Sequence, residues 1–201
     1  MTFVITNLAR YSQDPRQVHE NALKRVFRYL KGTRELGLYY DRNDIGLLNG
    51  IADASWNVTP EAKSFSGYVV RLGMCLVTWK SKKQSTVALS TCEAETNALV
   101  DLVKEIKWIQ GLLFEMKANE CLSYPVKLYS DSKSAIEISN NAVTHFRTKH
   151  FRLFYHFVRD EVSKRNIAIK FVSSEENLAD VLTKNVHGVQ LINAMQELNV
   201  R

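Results

Sequence analysis

Four acidic residues lie in or beside apolar segments of the chain, where a charged side chain needs a partner. They are Asp53 in GIADASW, Glu93 in STCEAE, Asp131 in YSDSKSA and Asp180 in ENLADVLTK. Clustered carboxylates repel one another unless they are protonated or bind cations, and their hard oxygen atoms suit Mg²⁺ or Mn²⁺. If the four side chains converge, they predict a site for divalent cations, and a pair of such ions supports phosphodiester cleavage.

Each of these carboxylates also has a simpler explanation. Asp131 could cap the helix that follows it, and Glu93 could form a capping box with the serine three residues before it. Asp53 could be solvated at a strand edge, and Asp180 could lie on the solvated face of an amphipathic helix, although Asp is disfavoured inside helices. Glu95 points to another side of its helix than Glu93, so the two are not expected to share one site.

The spacing of apolar residues predicts the elements that would position these carboxylates. The expected strands of the sheet are 45–56, 65–72, 74–81, 126–130 and 167–172, and a short strand-like segment over 36–41 precedes them. The expected helices are 14–31, 90–116, 132–140, 147–165 and 175–185. Three closely spaced strands followed by strand–helix alternation predict an α/β fold, with a five-stranded mixed sheet and helices on both faces. The first three strands are antiparallel and the later ones parallel. The first and fourth strands would then lie about 4.8 Å apart, which would bring Asp53 close to Asp131.

The composition is typical of a soluble globular protein, with 45% hydrophobic and 24% charged residues. The formal net charge of +6 permits a polyanionic partner such as nucleic acid without requiring one. Three cysteines without CxxC spacing predict reduced thiols and no zinc site. No apolar run approaches the roughly 20 residues of a membrane span, and no signal-peptide pattern is present. We therefore expect a cytosolic or nuclear protein.

Several long motifs resemble the ribonuclease H domain of copia-type LTR retrotransposon Pol polyproteins. They are DAS at 53–55, the segment 66–95 that ends in STCEAE, YSDSKSA at 129–135, RTKHFRLFYHFVRDEV at 147–162 and LADVLTK at 178–184. The segment 22–40 is similar to the end of the reverse transcriptase region just upstream. The resemblance implies three parts: the end of the reverse transcriptase region over 1–44, a ribonuclease H-like domain over 45–187, and a C-terminal tail over 188–201.

The resemblance also implies an activity. Matched position by position, Asp53, Glu93, Asp131 and Asp180 would hold two Mg²⁺ or Mn²⁺ ions and cleave the RNA strand of RNA–DNA hybrids, leaving 5′-phosphate ends. The partners implied are the hybrid and the reverse transcriptase domain of the same polyprotein. The location implied is the cytoplasm, within a virus-like particle, and also the nucleus.

Small polar, aromatic and basic residues are the candidates for binding the hybrid, because Lys and Arg neutralise phosphates and A-form helices are recognised through their backbone and shape. They are Ser55, Trp79, Lys82, Lys83, Ser90, Ser132, Arg147, Lys149 and His150. The serines follow from the resemblance alone, and a solvated charged face is the simpler explanation of the basic runs. The chain departs from cellular ribonucleases H in two ways: its loop before Asp180 has no His, and no basic protrusion follows the long helix.

Two rival functions stay open at this point. One is a host-retained, non-catalytic module that binds nucleic acid or protein. The other is an integrase or transposase, which uses three carboxylates on a similar sheet. The intact set of four carboxylates favours the nuclease over both.

Overall fold

A five-stranded mixed sheet lies at the centre of the protein. The computed structural model describes residues 1–43, 45–140, 152–186 and 188–201. The strands are β1 (Leu48–Ser55), β2 (Phe65–Leu72), β3 (Cys75–Lys83), β4 (Val126–Ser130) and β5 (Ile167–Phe171). They are arranged in the order β3-β2-β1-β4-β5, with antiparallel pairing from β3 to β1 and parallel pairing from β1 to β5. The predicted sheet, with its first and fourth strands as neighbours, is confirmed.

Helices cover both faces of this sheet. In the described residues the α-helices are α1 (Thr2–Ala9), α2 (Gln17–Gly32), α3 (Thr91–Glu115), α4 (Lys133–Asn140), α5 (Arg152–Ser163) and α6 (Gly188–Glu197). A short 3-10 helix, Leu178–Leu182, carries Asp180 and is called the Asp180 helix below. Within these described ranges, every helix is too short or too polar to cross a membrane.

The long helix α3 covers one face of the sheet. Side chains alternate along a strand, so Leu48 and Ala52 of β1 point towards this face, where they are buried together with Leu99 and Leu102 of α3. Gly50 lies between the two strand residues, and a Cβ atom there would stand 2.7 Å from Leu102 Cδ1. The glycine therefore allows α3 to pack closely against β1, which fixes the position of its first turn.

The Asp180 helix covers the opposite face, towards which Ile51 and Asp53 of β1 point. It approaches β2 closely at Gly67. A Cβ atom on Gly67 would stand 2.7 Å from Leu182 Cβ and 2.8 Å from Thr183 Cγ2. The absence of a side chain at this one position therefore lets the segment that carries Asp180 lie directly on the sheet.

The N-terminal helix α1 packs against β3. Phe3 is 8% exposed, and its ring meets the ring of Phe65 edge-on with centroids 5.1 Å apart. The Thr6 hydroxyl donates a hydrogen bond to the backbone oxygen of Ser81 at 3.4 Å. These contacts attach the start of segment 1–44 to the sheet, and the domain boundary placed after that segment stays a prediction.

Residues 36–41 were expected to form a short strand, and they form only one isolated bridge. Leu38 pairs antiparallel with Val200, close to the end of the chain. The Tyr40 hydroxyl donates a hydrogen bond to the backbone oxygen of Leu76 at 2.7 Å, which attaches the segment to β3 as well. The pairing partner lies about 160 residues along the chain, so no local pattern could predict it.

The last predicted helix, 175–185, is wrong in its type. The segment forms two short 3-10 turns, of which the Asp180 helix is the second. Asn177 separates them, because its backbone is extended and its side chain is held at both ends. Its amide oxygen accepts the N–H of Ala179 at 3.0 Å, and its amide nitrogen donates to the backbone oxygen of Ala52 at 3.2 Å.

Two helices, α1 and α6, lie where no helix was predicted, and α6 occupies most of the expected tail 188–201. Both are short, with eight and ten residues, so neither shows a long apolar period. The helix predicted over 147–165 is described from Arg152 onwards, and its first five residues lie outside the described part of the chain.

Candidate metal centre

Three aspartates from separate elements converge at one edge of the sheet. Asp53 lies near the end of β1, Asp131 directly follows β4, and Asp180 lies in the Asp180 helix. One carboxylate oxygen from each of them lies within 4.8 Å of those of the other two. Parallel neighbouring strands end at the same edge of a sheet, which explains why Asp53 and Asp131 meet. The structure therefore brings together three of the four predicted carboxylates.

Asp53 is the most buried of the three, with 2% of its surface exposed. Burial raises the pKa of its carboxyl group to about 7, and the charges of Asp180 and Asp131 act in the same direction. A short hydrogen bond from the Thr183 hydroxyl to Asp53 Oδ2 opposes this effect and fixes the side chain. The Asp53 carboxyl group is therefore held in a fixed position beside the other two aspartates.

Asp131 lies at the partly exposed side of the cluster. The Ser174 hydroxyl donates a hydrogen bond to Asp131 Oδ2 at 2.7 Å, so a residue of the loop before the Asp180 helix orients it. The capping role considered for Asp131 belongs to its neighbour, because Ser132 Oγ accepts the N–H of Ala135 at 3.2 Å in the first turn of α4. Asp131 is thus left to face the other two aspartates.

Asp180 is buried and has one oxygen in use. Lys184 Nζ lies 2.8 Å from Asp180 Oδ2, whereas Asp180 Oδ1 has no hydrogen-bond partner in the described residues. The pKa of Asp180 is raised above its ordinary value, mainly by burial and also by the charge of Asp131. The hydrogen bond and the charge of Lys184 act in the opposite direction. The site thus contains a buried carboxylate oxygen that a cation would satisfy.

Glu95, which was not predicted to belong to the site, is a fourth carboxylate beside the three aspartates. Its Oε1 accepts the backbone N–H of Ala54 at 3.3 Å, at the end of β1, and its Oε2 is buried without a partner among the described atoms. Burial raises the pKa of Glu95 to about 9, and the charges of Asp53 and Asp131 add to the increase. Glu95 is therefore close enough to these aspartates to interact with them electrostatically.

Glu93, the glutamate predicted for this position, lies in the cap of α3 instead. Ser90 Oγ accepts the N–H of Glu93 at 3.2 Å, and Glu93 Oε2 accepts the N–H of Leu89 at 2.8 Å. Residues two apart on a helix point to nearly opposite sides of it, so only one of the two glutamates can face Asp53. The two glutamates are equally buried, with 8% exposed, and their contacts separate them, because Glu95 is bonded to Ala54 beside Asp53 whereas Glu93 is bonded to Leu89.

The family of the chain is identified by its similarity to known proteins. No family model matches it. The Pol polyprotein from transposon RE2 of Arabidopsis thaliana is 36% identical over 201 residues, which are 100% of this chain and 14% of that protein. The Pol polyprotein from transposon TNT 1-94 of Nicotiana tabacum is 37% identical over 180 residues, or 89% of this chain and 13% of that protein. The chain belongs to the copia-type retrotransposon Pol family. It spans only a small part of the length of these relatives.

This Pol segment has the ribonuclease H fold. A ribonuclease H1 isolated from compost by a metagenomic approach, LC11-RNase H1, superposes with a TM-score of 0.53 at 16% sequence identity. The superposition covers 69% of this chain and 94% of the compost protein. The family and the fold inferred from the sequence motifs are both confirmed.

The side chains predicted to bind nucleic acid have varied surroundings in the Pol segment. Lys82 Nζ pairs with Asp101 Oδ2 at 3.1 Å, and Lys83 Nζ lies 3.9 Å from Glu61. Trp79 donates its indole N–H to the Thr2 hydroxyl of α1 at 3.0 Å. These side chains contact the rest of the protein, and their binding to nucleic acid stays a prediction.

Two of the three predicted serines cap helices, and the third lies close to Asp53. Ser90 and Ser132 cap α3 and α4, as described above, whereas Ser55 is partly buried at the end of β1, two residues after Asp53. The basic residues Arg147, Lys149 and His150 lie outside the described residues.

The donor set of this Pol segment fits a hard divalent cation. The three aspartates and the neighbouring Glu95 offer carboxylate oxygens, which Mg²⁺ and Mn²⁺ prefer. Two buried oxygens, Asp180 Oδ1 and Glu95 Oε2, lack a partner among the described residues. Sequence reasoning missed Glu95 and also the supporting side chains of Ser174, Thr183 and Lys184. For Glu95 a signal existed, since it precedes the buried Leu99 and Leu102 by four and seven residues.

Proposed function

We propose that this Pol segment is a metal-dependent ribonuclease H, which cleaves the RNA strand of RNA–DNA hybrids and leaves 5′-phosphate ends. The observation that supports the proposal is the convergence of Asp53, Asp131 and Asp180, with Glu95 beside them, at the carboxyl end of the central parallel strands. Ligand sites in open α/β sheets lie at this edge. The family and the fold support the same activity.

Asp53, Glu95, Asp131 and Asp180 are the proposed ligands of two Mg²⁺ or Mn²⁺ ions. When bound, such a pair of ions supplies the nucleophile at neutral pH and stabilises the attacking and leaving oxygens of a phosphodiester. Four like charges in a largely buried site are otherwise unfavourable, as the raised pKa values of Asp53 and Glu95 indicate. The chain thus provides the negative charge that such cations need.

Neighbouring neutral groups hold three of the four carboxylates in place before a cation binds. The Thr183 hydroxyl fixes Asp53, the Ser174 hydroxyl fixes Asp131, and the Ala54 N–H fixes Glu95. Because these donors belong to the packed strands and the loop around the Asp180 helix, the carboxylates need little rearrangement to bind a cation. Preorganised polar groups of this kind account for much of the rate enhancement of enzymes.

The partners proposed are the RNA–DNA hybrid and the reverse transcriptase region of the same polyprotein. The hybrid is a polyanion, which the net charge of +6 favours. An exposed apolar stripe on α2 supports the second partner, because Leu23, Phe27 and Leu30 face solvent, with Phe27 61% exposed. For location we propose the cytoplasm, within a virus-like particle, and the nucleus as a second site.

Cleavage of a labelled hybrid tests the proposed activity. The protein is incubated in Mg²⁺ with a hybrid whose RNA strand is labelled, and separately with the same RNA alone and with the matching DNA duplex. We expect cleavage of the hybrid only, abolished by EDTA and by Asp53→Asn. Binding of the hybrid without cleavage in either Mg²⁺ or Mn²⁺ would instead favour a non-catalytic module.

A further inference from the structure

Lys184 is a cation in contact with the carboxylate cluster. It lies four residues after Asp180, and its Nζ is 2.8 Å from Asp180 Oδ2. The charge of Lys184 lowers the pKa of Asp53, Glu95 and Asp180 alike, so its ammonium group acts on carboxylates from several elements. No residue of the sequence motifs was expected to have this effect.

The two oxygens of Asp180 differ because of this contact. Oδ2 is used by Lys184, whereas Oδ1 is buried and has no partner among the described residues. The carboxylate can therefore keep its lysine on one oxygen and offer the other to a metal ion. The Lys184 side chain is 44% exposed, so a charged group on this flexible stem is in contact with both the cluster and water.

Among the described residues, the other hydrogen bonds to the cluster come from uncharged donors. Asp53 is bound by a hydroxyl group, Asp131 by the hydroxyl of Ser174, and Glu95 by the N–H of Ala54. A hydrogen bond from a neutral donor leaves the net charge of the cluster unchanged, whereas an ammonium group cancels one of its negative charges. Lys184 therefore affects the total charge of the site differently from the other groups that position it.

We propose that Lys184 is a built-in counter-cation, which stabilises the carboxylate cluster in the absence of metal and weakens the binding of divalent cations to it. The proposal rests on the metal site of the proposed function. It makes Lys184 a positioning residue whose charge limits metal affinity, and so keeps the ions exchangeable. Repulsion between Lys184 and the incoming cation is the physical cause.

The sign of one measurement separates this role from a purely structural one. If Lys184 only orients Asp180, then its loss leaves the carboxylate disordered and Mg²⁺ binds more weakly. If Lys184 is a counter-cation, its loss removes a repulsive charge and Mg²⁺ binds more tightly, although the metal-free protein becomes less stable. The two effects have opposite directions, which no general loss of structure can produce.

Mg²⁺ binding to the full chain is measured by isothermal titration calorimetry, and thermal unfolding is followed in EDTA. The variants are Lys184→Gln, which removes the charge, and Lys184→Arg, which keeps it. The control is Lys127→Gln, because Lys127 is exposed near the other end of β4 and carries the same charge. None of these measurements requires cleavage of a substrate.

We expect Lys184→Gln to bind Mg²⁺ at least about threefold more tightly, since it loses a nearby like charge, and to unfold at a lower temperature in EDTA. Lys184→Arg and Lys127→Gln should resemble the original protein in both measurements. Unchanged or weaker Mg²⁺ binding by Lys184→Gln would overturn the inference. A failure of the unaltered protein to bind Mg²⁺ would instead overturn the proposed metal site, so the two failures are distinguishable.

Discussion

The Ala54 N–H donates a hydrogen bond to Glu95 Oε1 at 3.3 Å, which joins the end of β1 to the N-terminal part of α3. Asp53 directly precedes Ala54, so this bond holds the Glu95 carboxylate beside the buried aspartate. Glu93 lies only two residues away but is bonded to the backbone of Leu89. One glutamate therefore lies beside the aspartate cluster and the other in the helix cap, and substitution can separate the two roles.

Glu95→Gln should reduce hybrid cleavage at least about 100-fold, a loss typical of removing one charged group that acts on the transition state. Glu93→Gln is its matched control, because the same charge is removed from the same helix turn. Its amide can still accept the Leu89 N–H, so it should cost less than about 1 kcal/mol of unfolding free energy, mainly through the lost interaction with the helix dipole. Cleavage rates and thermal unfolding of both variants check this. Equal loss of cleavage in both variants would contradict the assignment.

Stability of the metal-free protein should fall as pH rises. The pKa of Asp53 is raised to about 7 and that of Glu95 to about 9, from ordinary values of 3.8 and 4.5. At these two groups the folded state therefore binds more protons than the unfolded state. The stability that Asp53 and Glu95 contribute is fully present below about pH 4 and is lost as pH rises through their raised pKa values. Unfolding temperatures in EDTA between about pH 5 and pH 9 measure this slope.

Two comparisons identify the source of that slope. Saturating Mg²⁺ should make the unfolding temperature less dependent on pH, because it favours the ionised carboxylates of the folded state. Glu95→Gln should reduce the slope in EDTA, because it removes the group with the widest titration window. A metal-free protein that becomes more stable between neutral pH and pH 9 would contradict the raised pKa values.

Gly67→Ala should destabilise the protein and impair cleavage together. The new Cβ atom would stand 2.7 Å from Leu182 Cβ and 2.8 Å from Thr183 Cγ2, so the Asp180 helix must move away from β2. Such overpacking costs about 1–3 kcal/mol, and the movement withdraws Thr183 from Asp53. Gly111→Ala is the control, because a Cβ atom there meets nothing within 4 Å. It should stabilise α3 by about 0.5–1 kcal/mol and leave cleavage unchanged.

Phe3→Ala tests whether α1 belongs to the folded unit. Phe3 is buried against Phe65, so its truncation should cost about 3–5 kcal/mol of unfolding free energy. Ile5→Ala on the same helix is the control, since Ile5 is 44% exposed and should cost less than about 1 kcal/mol. Chemical denaturation followed by far-UV circular dichroism measures both. Equal, small effects would mean that segment 1–44 unfolds independently of the sheet.

The topology of the sheet and the meeting of Asp53 with Asp131 could be predicted from the sequence. The order of short apolar strands and amphipathic helices restricts the sheet to a few arrangements, and parallel neighbours carry their ends to one edge. The strand pattern around Asp53 and the apolar run before Asp131 were sufficient for this, because both depend on local periodicity.

The surroundings of Asp180 could not be predicted in the same way. Its helix type depends on Asn177, whose side chain bonds to Ala52 of a distant strand, and its position depends on the close approach at Gly67. Neither contact leaves a periodic signal near Asp180 in the chain. The choice of Glu93 over Glu95 has another cause, since the capping pattern with Ser90 favours Glu93, although Glu95 precedes the buried Leu99 and Leu102 at helical spacing.

The contacts of segment 1–44 along β3 have a consequence for handling the protein. Thr6 and Tyr40 donate hydrogen bonds to the backbone oxygens of Ser81 and Leu76, two residues of the outermost strand of the sheet. An uncovered outer strand is a template for pairing with another molecule. A shortened version that starts after this segment would therefore tend to form edge-to-edge aggregates, and its poor behaviour would reflect a lost cover and not a defective nuclease fold.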